Sequence, residues 1–288
     1  MTPVVWGGFS SLSYGTADFI AAKTGRGIGA GNALFFVLPI GIIGIGIAWM
    51  VAGQPLVWQT GLLWLVLLHG IGLAGKLQTL YVALARGPVS MVAPIVAAHP
   101  VFVLLLFAGM GIVPTPLQWA GCAVTILGAI LVAVSSDQAE TSAAAHHGLR
   151  VTIVLSLVCA LFYTLEVVTG QLAVATYGEL PTAFAGRTLA WIILGVLLFA
   201  TKGRPHAPRK WWWLLIVQGV LDAAGTVFLF GGSHGADAPI TAVIAGTFGA
   251  VTAVLAWLFL KERIGPIQWT GIALIFVGVT MLSWPGGT

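Results

Sequence analysis

Seven ionisable side chains lie inside stretches of this sequence that are otherwise apolar and long enough to cross a bilayer. Asp18, Glu166 and Asp222 are acids, Lys76 and Arg187 are bases, and His69 and His99 titrate near neutrality. A charge at mid-bilayer costs about 2.5–3.5 kcal/mol on insertion scales, so such residues face an interior cavity or pair with one another. Asp18 shares a helical face with Ser11 and Tyr14, at i−7 and i−4, and reads either as the lining of an aqueous cavity or as an interfacial cap near Lys23. Glu166 has Cys159, Phe162 and Tyr163 on its face. An acid against aromatic rings suits a cation or ammonium group through charge and ring quadrupole together. Pairing with Arg187 is the structural alternative. His69, Gly72 and Lys76 make one polar stripe and Gln218, Asp222 and Thr226 another, so a Lys76–Asp222 pair is expected, either gating or structural. Arg187 suits a bidentate contact to a solute carboxylate, or a structural pair. His99 precedes Pro100 in a stretch that also holds Pro94, where a kink would free backbone carbonyls. His234, near a span end, reads as solvated.

The elements that must position these residues are membrane helices. Of 288 residues, 59% are hydrophobic and 7% charged, against roughly 25% charged in soluble domains. Lipid must therefore be the solvent, and backbone groups in lipid need internal partners, so the fold class is an all-α integral membrane protein. The short alternating strands of a transmembrane barrel are missing. Apolar runs near 4–22, 30–51, 57–84, 88–110 and 116–135, then near 149–175, 181–201, 211–232, 238–260 and 264–284, predict ten transmembrane helices. The polar segment SSDQAETSAAAHHG separates two groups of five. This gives a first repeat over 1–135, a linker over 136–148 and a second repeat over 149–288.

The two groups are related. PLQWAGCAVTILGAILVA from Pro116 and PIQWTGIALIFVGVTMLS from Pro266 share Pro, Gln, Trp, Gly, Ala and Gly at an offset of 150. That register sets Gly75 opposite Gly225, and a near-equal offset of 148 sets Tyr14 and Asp18 opposite Phe162 and Glu166. Five spans being odd, the repeats are inverted, an arrangement that places a solute site near the midplane between the halves.

Other patterns carry no chemistry. Gly70, Gly72 and Gly75 spell GxGxxG without a preceding strand, whereas Gly7, Ser11 and Gly15 read as a close-packing seam. Cys122 and Cys159 read as core residues, and His146 and His147 have no partner ligands for a metal. The net charge of +4 is too dispersed for a nucleic-acid surface. The N-terminus has no basic region before Trp6 and reads as a retained span, not a signal peptide.

LAWLFLKERIGPIQWTGIALIFVGVTML (Leu255 to Leu282), with its apolar span, Glu-Arg turn and Gly-spaced last helix, resembles the EamA-type family of the drug/metabolite transporter superfamily. SYGTADF (Ser13 to Phe19), ARGPVSMVAP (Ala85 to Pro94) and GVLDAAG (Gly219 to Gly225) are similar to one branch of it, so the likeness extends over nearly the whole chain. The first repeat departs from the pattern, with Gly111, Ile112 and Val113 where the second has Lys261, Glu262 and Arg263. The resemblance implies a cavity lined by the first, third and fourth spans of each repeat, and it places Arg187 where the family often carries an arginine.

Loops after spans 1, 3, 5, 7 and 9 hold Lys23, Arg26, Arg86, Arg150, Lys202, Arg204, Arg209, Lys210, Lys261 and Arg263. Basic loops are cytoplasmic, so both termini are expected outside an inner membrane. Trp211, Trp212 and Trp213 suit the interfacial belt. No Walker sequence or other cofactor motif is present, so the energy would come from an ion or solute gradient or from exchange. Burial makes a carboxylate hold its proton more tightly, and Glu166, Asp18 or Asp222 could couple protons that way. The reading is a secondary active exporter of small organic metabolites such as amino acids or amines, with an uptake permease of the same fold as the alternative. An intramembrane enzyme would need a clustered motif such as HExxH, which is missing. A sensor or scaffold would more naturally carry a further soluble domain.

Overall fold

A computed structural model describes residues 2–55, 59–109, 111, 113–138, 143–202, 204–232, 241 and 244–282. His234 and the side chains of His146 and His147 lie outside the described residues. The described residues form helices without a strand: α1 (Pro3–Ile28), α2 (Ala30–Ala52), α3 (Leu63–Arg86), α4 (Val89–Ala97), α5 (Pro100–Gly109), α6 (Pro116–Gln138), α7 (Ala143–Tyr177), α8 (Glu179–Lys202), α9 (Trp212–Gly231), α10 (Phe248–Leu255) and α11 (Pro266–Leu282). Prolines open several of them, because a missing N–H costs nothing in the first turn. Thr115 and Gln118 cap α6 reciprocally: each side-chain oxygen accepts from the other's backbone N–H, at 2.9 and 3.3 Å.

Seven described stretches are long and apolar enough to cross a membrane, and Phe248–Leu260 and Pro266–Leu282 are shorter apolar helices. The chain is therefore a multi-pass membrane protein. Exposed apolar side chains such as Phe9, Ile43, Ile47, Leu127, Val196 and Val220 form the outer surface. The stretch expected to span 88–110 is broken at Ala98–His99, with α4 on one side and α5 on the other. The kink lies where Pro94 and Pro100 deny the helix its N–H donors. A similar break at Gly246–Thr247 precedes α10. α10 then passes into a π-helical turn, Ala256–Leu260, which ends at Lys261 with a left-handed φ of 56°.

The most extensive packings join the two parts of the chain: α6 with α11, α3 with α7, α1 with α9 and α2 with α8. α6 and α11 meet through glycines, since a Cβ on Gly128 would stand 2.6 Å from the Gly271 carbonyl and one on Gly271 would stand 2.8 Å from the Gly128 carbonyl. The seam expected at Gly7, Ser11 and Gly15 packs on Ile244 and Val251, with Ser11 hydrogen-bonded to Thr247 at 2.8 Å.

One end of the bundle gathers the basic side chains. Arg26 donates to the carbonyls of Leu84 and Gly87, and its guanidinium lies 3.9 Å from Glu262. Glu262 accepts from the backbone N–H groups of Val89 and Ser90, at 3.0 and 2.9 Å, and so caps the start of α4 from the turn after α10.

Candidate functional site

The nine residues singled out as site candidates are all buried: Tyr14, Asp18, His69, Lys76, His99, Tyr163, Glu166, Arg187 and Asp222. Six of them meet where α1, α3, α7 and α9 converge, and the order of events is set by small residues. Gly72 and Gly75 turn one face of α3 into a groove for α7, since a Cβ on Gly72 would lie 2.7 Å from the backbone nitrogen of Glu166 and one on Gly75 would enter the Phe162 ring. This close approach puts the Lys76 ammonium 2.7 Å from Glu166 Oε2. The same ammonium lies 4.3 Å from the Tyr163 ring centre and 5.5 Å from that of Tyr14. Two aromatic faces and a carboxylate thus surround one cation.

Arg187 enters from α8. Its Nη1 donates to Asp222 Oδ2 at 2.5 Å, and its Nη2 to the Asp222 carbonyl at 2.8 Å and Thr226 Oγ1 at 2.5 Å. Thr226 also pairs with the Tyr14 hydroxyl at 2.8 Å. Gly41 makes room for the guanidinium, because a Cβ there would lie 3.3 Å from Nη1. The expected pairings are therefore exchanged. Lys76 pairs with Glu166, not with Asp222, and Arg187 pairs with Asp222, not with Glu166. The cause is the glycine face of α3, which commits that helix to α7 and leaves α9 to α1 and α2. Arg187 is 1% exposed and holds α8 to α9.

Asp18 is 8% exposed and faces a cavity whose lining also includes Tyr14, Lys76, Val96, Tyr163, Asp222 and Phe248. It is no interfacial cap to Lys23, whose ammonium sits 4.9 Å over the Phe19 ring. Among the described residues Asp18 makes no hydrogen bond or ion pair, so it is the one acid of the cluster without a cation of its own. The cavity measures about 10 Å³, which is roughly the room of one water molecule. A larger cavity of about 210 Å³ lies between α4, α5, α6 and α7, but its lining is apolar and it holds none of these groups.

His99 sits at the helix break and stacks on Tyr163, with ring centres 4.1 Å apart and planes 13° from parallel. Its carbonyl accepts from the Phe102 N–H at 2.9 Å and also from Thr164 Oγ1 at 3.2 Å, which ties the break to α7. His69 lies away from the cavity. Its Nδ1 meets the Glu166 carbonyl at 3.0 Å, and its ring wedges against Gly170 and Gly186. Two further polar groups belong to the architecture. Gln218 bridges Thr24, which donates to its carbonyl oxygen at 2.9 Å, and the Tyr81 hydroxyl, and so ties α1, α9 and α3 together toward the basic end. Tyr81 escaped the sequence reading, although a phenol inside an apolar span is itself a signal that a polar partner faces it. Phe248 was also missed, since a lone phenylalanine in such a span carries no mark.

Residues 150–284 match the model of the EamA-like transporter family. That stretch is similar to this family, which belongs to the drug/metabolite transporter superfamily. The chain is 24% identical over 241 residues to an uncharacterized transporter of Synechocystis sp., covering 80% of this chain and 68% of that protein. It is 27% identical over 139 residues to an uncharacterized protein of Methanocaldococcus jannaschii, covering 46% of this chain and 95% of that protein. A solved crystal structure superposes with a TM-score of 0.66 at 19% identity, covering 97% of this chain and 95% of its own, and shares the fold.

Proposed function

We propose that this EamA-type chain is a secondary active transporter that exports small organic metabolites bearing an amino group, such as amino acids and amines, by alternating access. The observation that carries this reading is Asp18. Two cations and three acids meet in the bundle, the cations pair with Glu166 and Asp222, and among the described residues Asp18 faces the cavity with no cation bonded to it. A buried, uncompensated carboxylate demands a counter-charge. A solute ammonium or a proton supplies it, which makes the two competitors and couples their movement.

Ten spans in two inverted repeats, over 1–135 and 149–288, give the frame for this mechanism. Exchanging α1, α2, α3, α4 and α6 with α7, α8, α9, α10 and α11 turns the α3–α7 packing into α9–α1 and the α3–α8 packing into α9–α2, and all four packings are present. Gly75 packs on Phe162 as Gly225 packs on Tyr14. The breaks at Ala98–His99 and Gly246–Thr247 recur at the offset of 148. The cavity draws on α1, α3, α4, α7, α9 and α10, the first, third and fourth spans of each half. The basic end faces the cytoplasm in this reading, with both termini outside an inner membrane.

The test is thermal unfolding of the purified chain against amino acids, amines, nucleosides, sugars and cationic dyes. A ligand of the native state raises the midpoint according to its affinity. One amine-bearing class is expected to raise it in the wild type and to have no effect in Asp18→Asn. Stabilisation by a neutral sugar or nucleoside, equal in both proteins, overturns the substrate class.

A further inference from the structure

Asp18 and Glu166 occupy corresponding places in the two halves, at the offset of 148, and both approach one lysine. Lys76 is ion-paired with Glu166 at 2.7 Å and shares with Asp18 the lining of a cavity the size of one water. Among the described residues no second cation serves that pair of acids. The position that corresponds to Lys76 at the offset of 150 is Thr226, which is bonded to Tyr14 and Arg187, and Arg187 is committed to Asp222. A lysine ammonium is a compact charge on a flexible four-carbon stem, so it can change partner across a gap of that size without moving its helix.

We infer that Lys76 is a two-position switch, a tethered cation that sits on Glu166 in one state and on Asp18 in the other, and that a solute's alkylammonium group takes whichever carboxylate the lysine leaves. The inference rests on the alternating-access reading, in which the two halves exchange conformations and hence the two acids exchange surroundings. With Lys76 on Asp18, Glu166 is left with the Tyr163 ring beside it, the carboxylate-and-aromatic seat that the lysine ammonium fills here. With Lys76 on Glu166, Asp18 is the open seat, beside Tyr14. The seats are filled by one tethered and one solute cation, so neither acid crosses the membrane cycle uncompensated, and an empty site resists turnover. Lys76 thereby acts as the chain's own competitor for its substrate.

Two reporters on the full-length chain in nanodiscs test this, with both native cysteines replaced by serine. Ser11→Cys lies toward the terminal end of the bundle and Leu80→Cys toward the basic end, and both positions are buried. In the otherwise wild-type chain a water-soluble maleimide is expected to reach both in turn. Asp18→Asn removes one seat and Glu166→Gln the other, so the two variants should slow opposite reporters, each by about tenfold. Slowing of the same reporter in both, or of neither, overturns the switch while alternating access stands. Labelling of only one reporter in the wild-type background overturns alternating access and the switch with it.

Should Glu166→Gln fail to fold, ethylammonium binding decides the matter. Lys76→Ala vacates the Glu166 seat, and millimolar ethylammonium should raise its unfolding midpoint in a saturable way, by several degrees more than in Asp18→Asn, where the lysine fills the remaining seat. An equal shift in both proteins, or none in Lys76→Ala, sinks the inference.

Discussion

At the scale of single residues the molecule is governed by two buried ion pairs with different geometries. Arg187 uses its planar fork on Asp222 Oδ2, the Asp222 carbonyl and Thr226. A lysine ammonium cannot reproduce that spread of donors. Removing one partner of a buried pair costs about 3–5 kcal/mol, because the other charge is stranded. Arg187→Ala is therefore expected to lower the unfolding midpoint strongly, and Arg187→Lys to recover only part of the loss. Full recovery by lysine in a thermal melt would show that charge alone matters there. The sequence disclosed which residues would be buried and charged, since each interrupts an apolar run. It did not disclose the pairing. Lys76 and Asp222 stand one helical turn, four positions, apart in the repeat register of 150, which favours matching them, and only the packing of Gly72 and Gly75 on α7 shows that the lysine turns toward Glu166.

At the scale of elements, close approach between helices decides what can be reached. A methyl group on Gly72 would run into the backbone of α7, whereas one on Gly8 or Gly44 would meet nothing within 4 Å. Overpacking typically costs 1–3 kcal/mol. Gly72→Ala should accordingly destabilise the protein by about that much and loosen the Lys76–Glu166 contact, while Gly44→Ala stays near neutral, both read from thermal melts. Glu262 belongs to this scale as well. Its two oxygens satisfy two N–H groups in the first turn of α4 from a distant part of the chain. Glu262→Ala is expected to cost about 1–2 kcal/mol, with faster hydrogen exchange confined to Val89–Ala93. Exchange unchanged in that segment would show that solvent caps the helix equally well. The break at His99 was legible from Pro94 and Pro100. The matching break at Gly246–Thr247 was not, because no proline marks it and its signal lies only in the repeat offset.

At the scale of the whole molecule, the strongest helix packings run between the two halves of the chain and not within either. The extensive packings, α6 on α11, α3 on α7, α1 on α9 and α2 on α8, all cross between residues before 142 and residues after it. Both ion pairs show the same logic in part: Lys76 reaches from the first half into the second, and Arg187 is seated by Gly41 of the first. In lipid, helices gain little from hiding apolar surface and depend on close packing and polar contacts, so a half deprived of its complementary face loses most of what would order it. The segments 1–142 and 143–288, expressed separately, should each be degraded or elute as aggregates in detergent. Expressed together, they should copurify as one complex with a cooperative melt, because every strong contact is restored and only the link between α6 and α7 is cut. The glycine seam supplies the control. Gly128→Leu places a branched chain against the Gly271 backbone and should abolish copurification, whereas the same change at Gly44 should leave it intact. A half that stays monomeric and melts cooperatively alone would mean that the packing within it outweighs the packing across, and the two repeats would then be domains that meet, not one interleaved body.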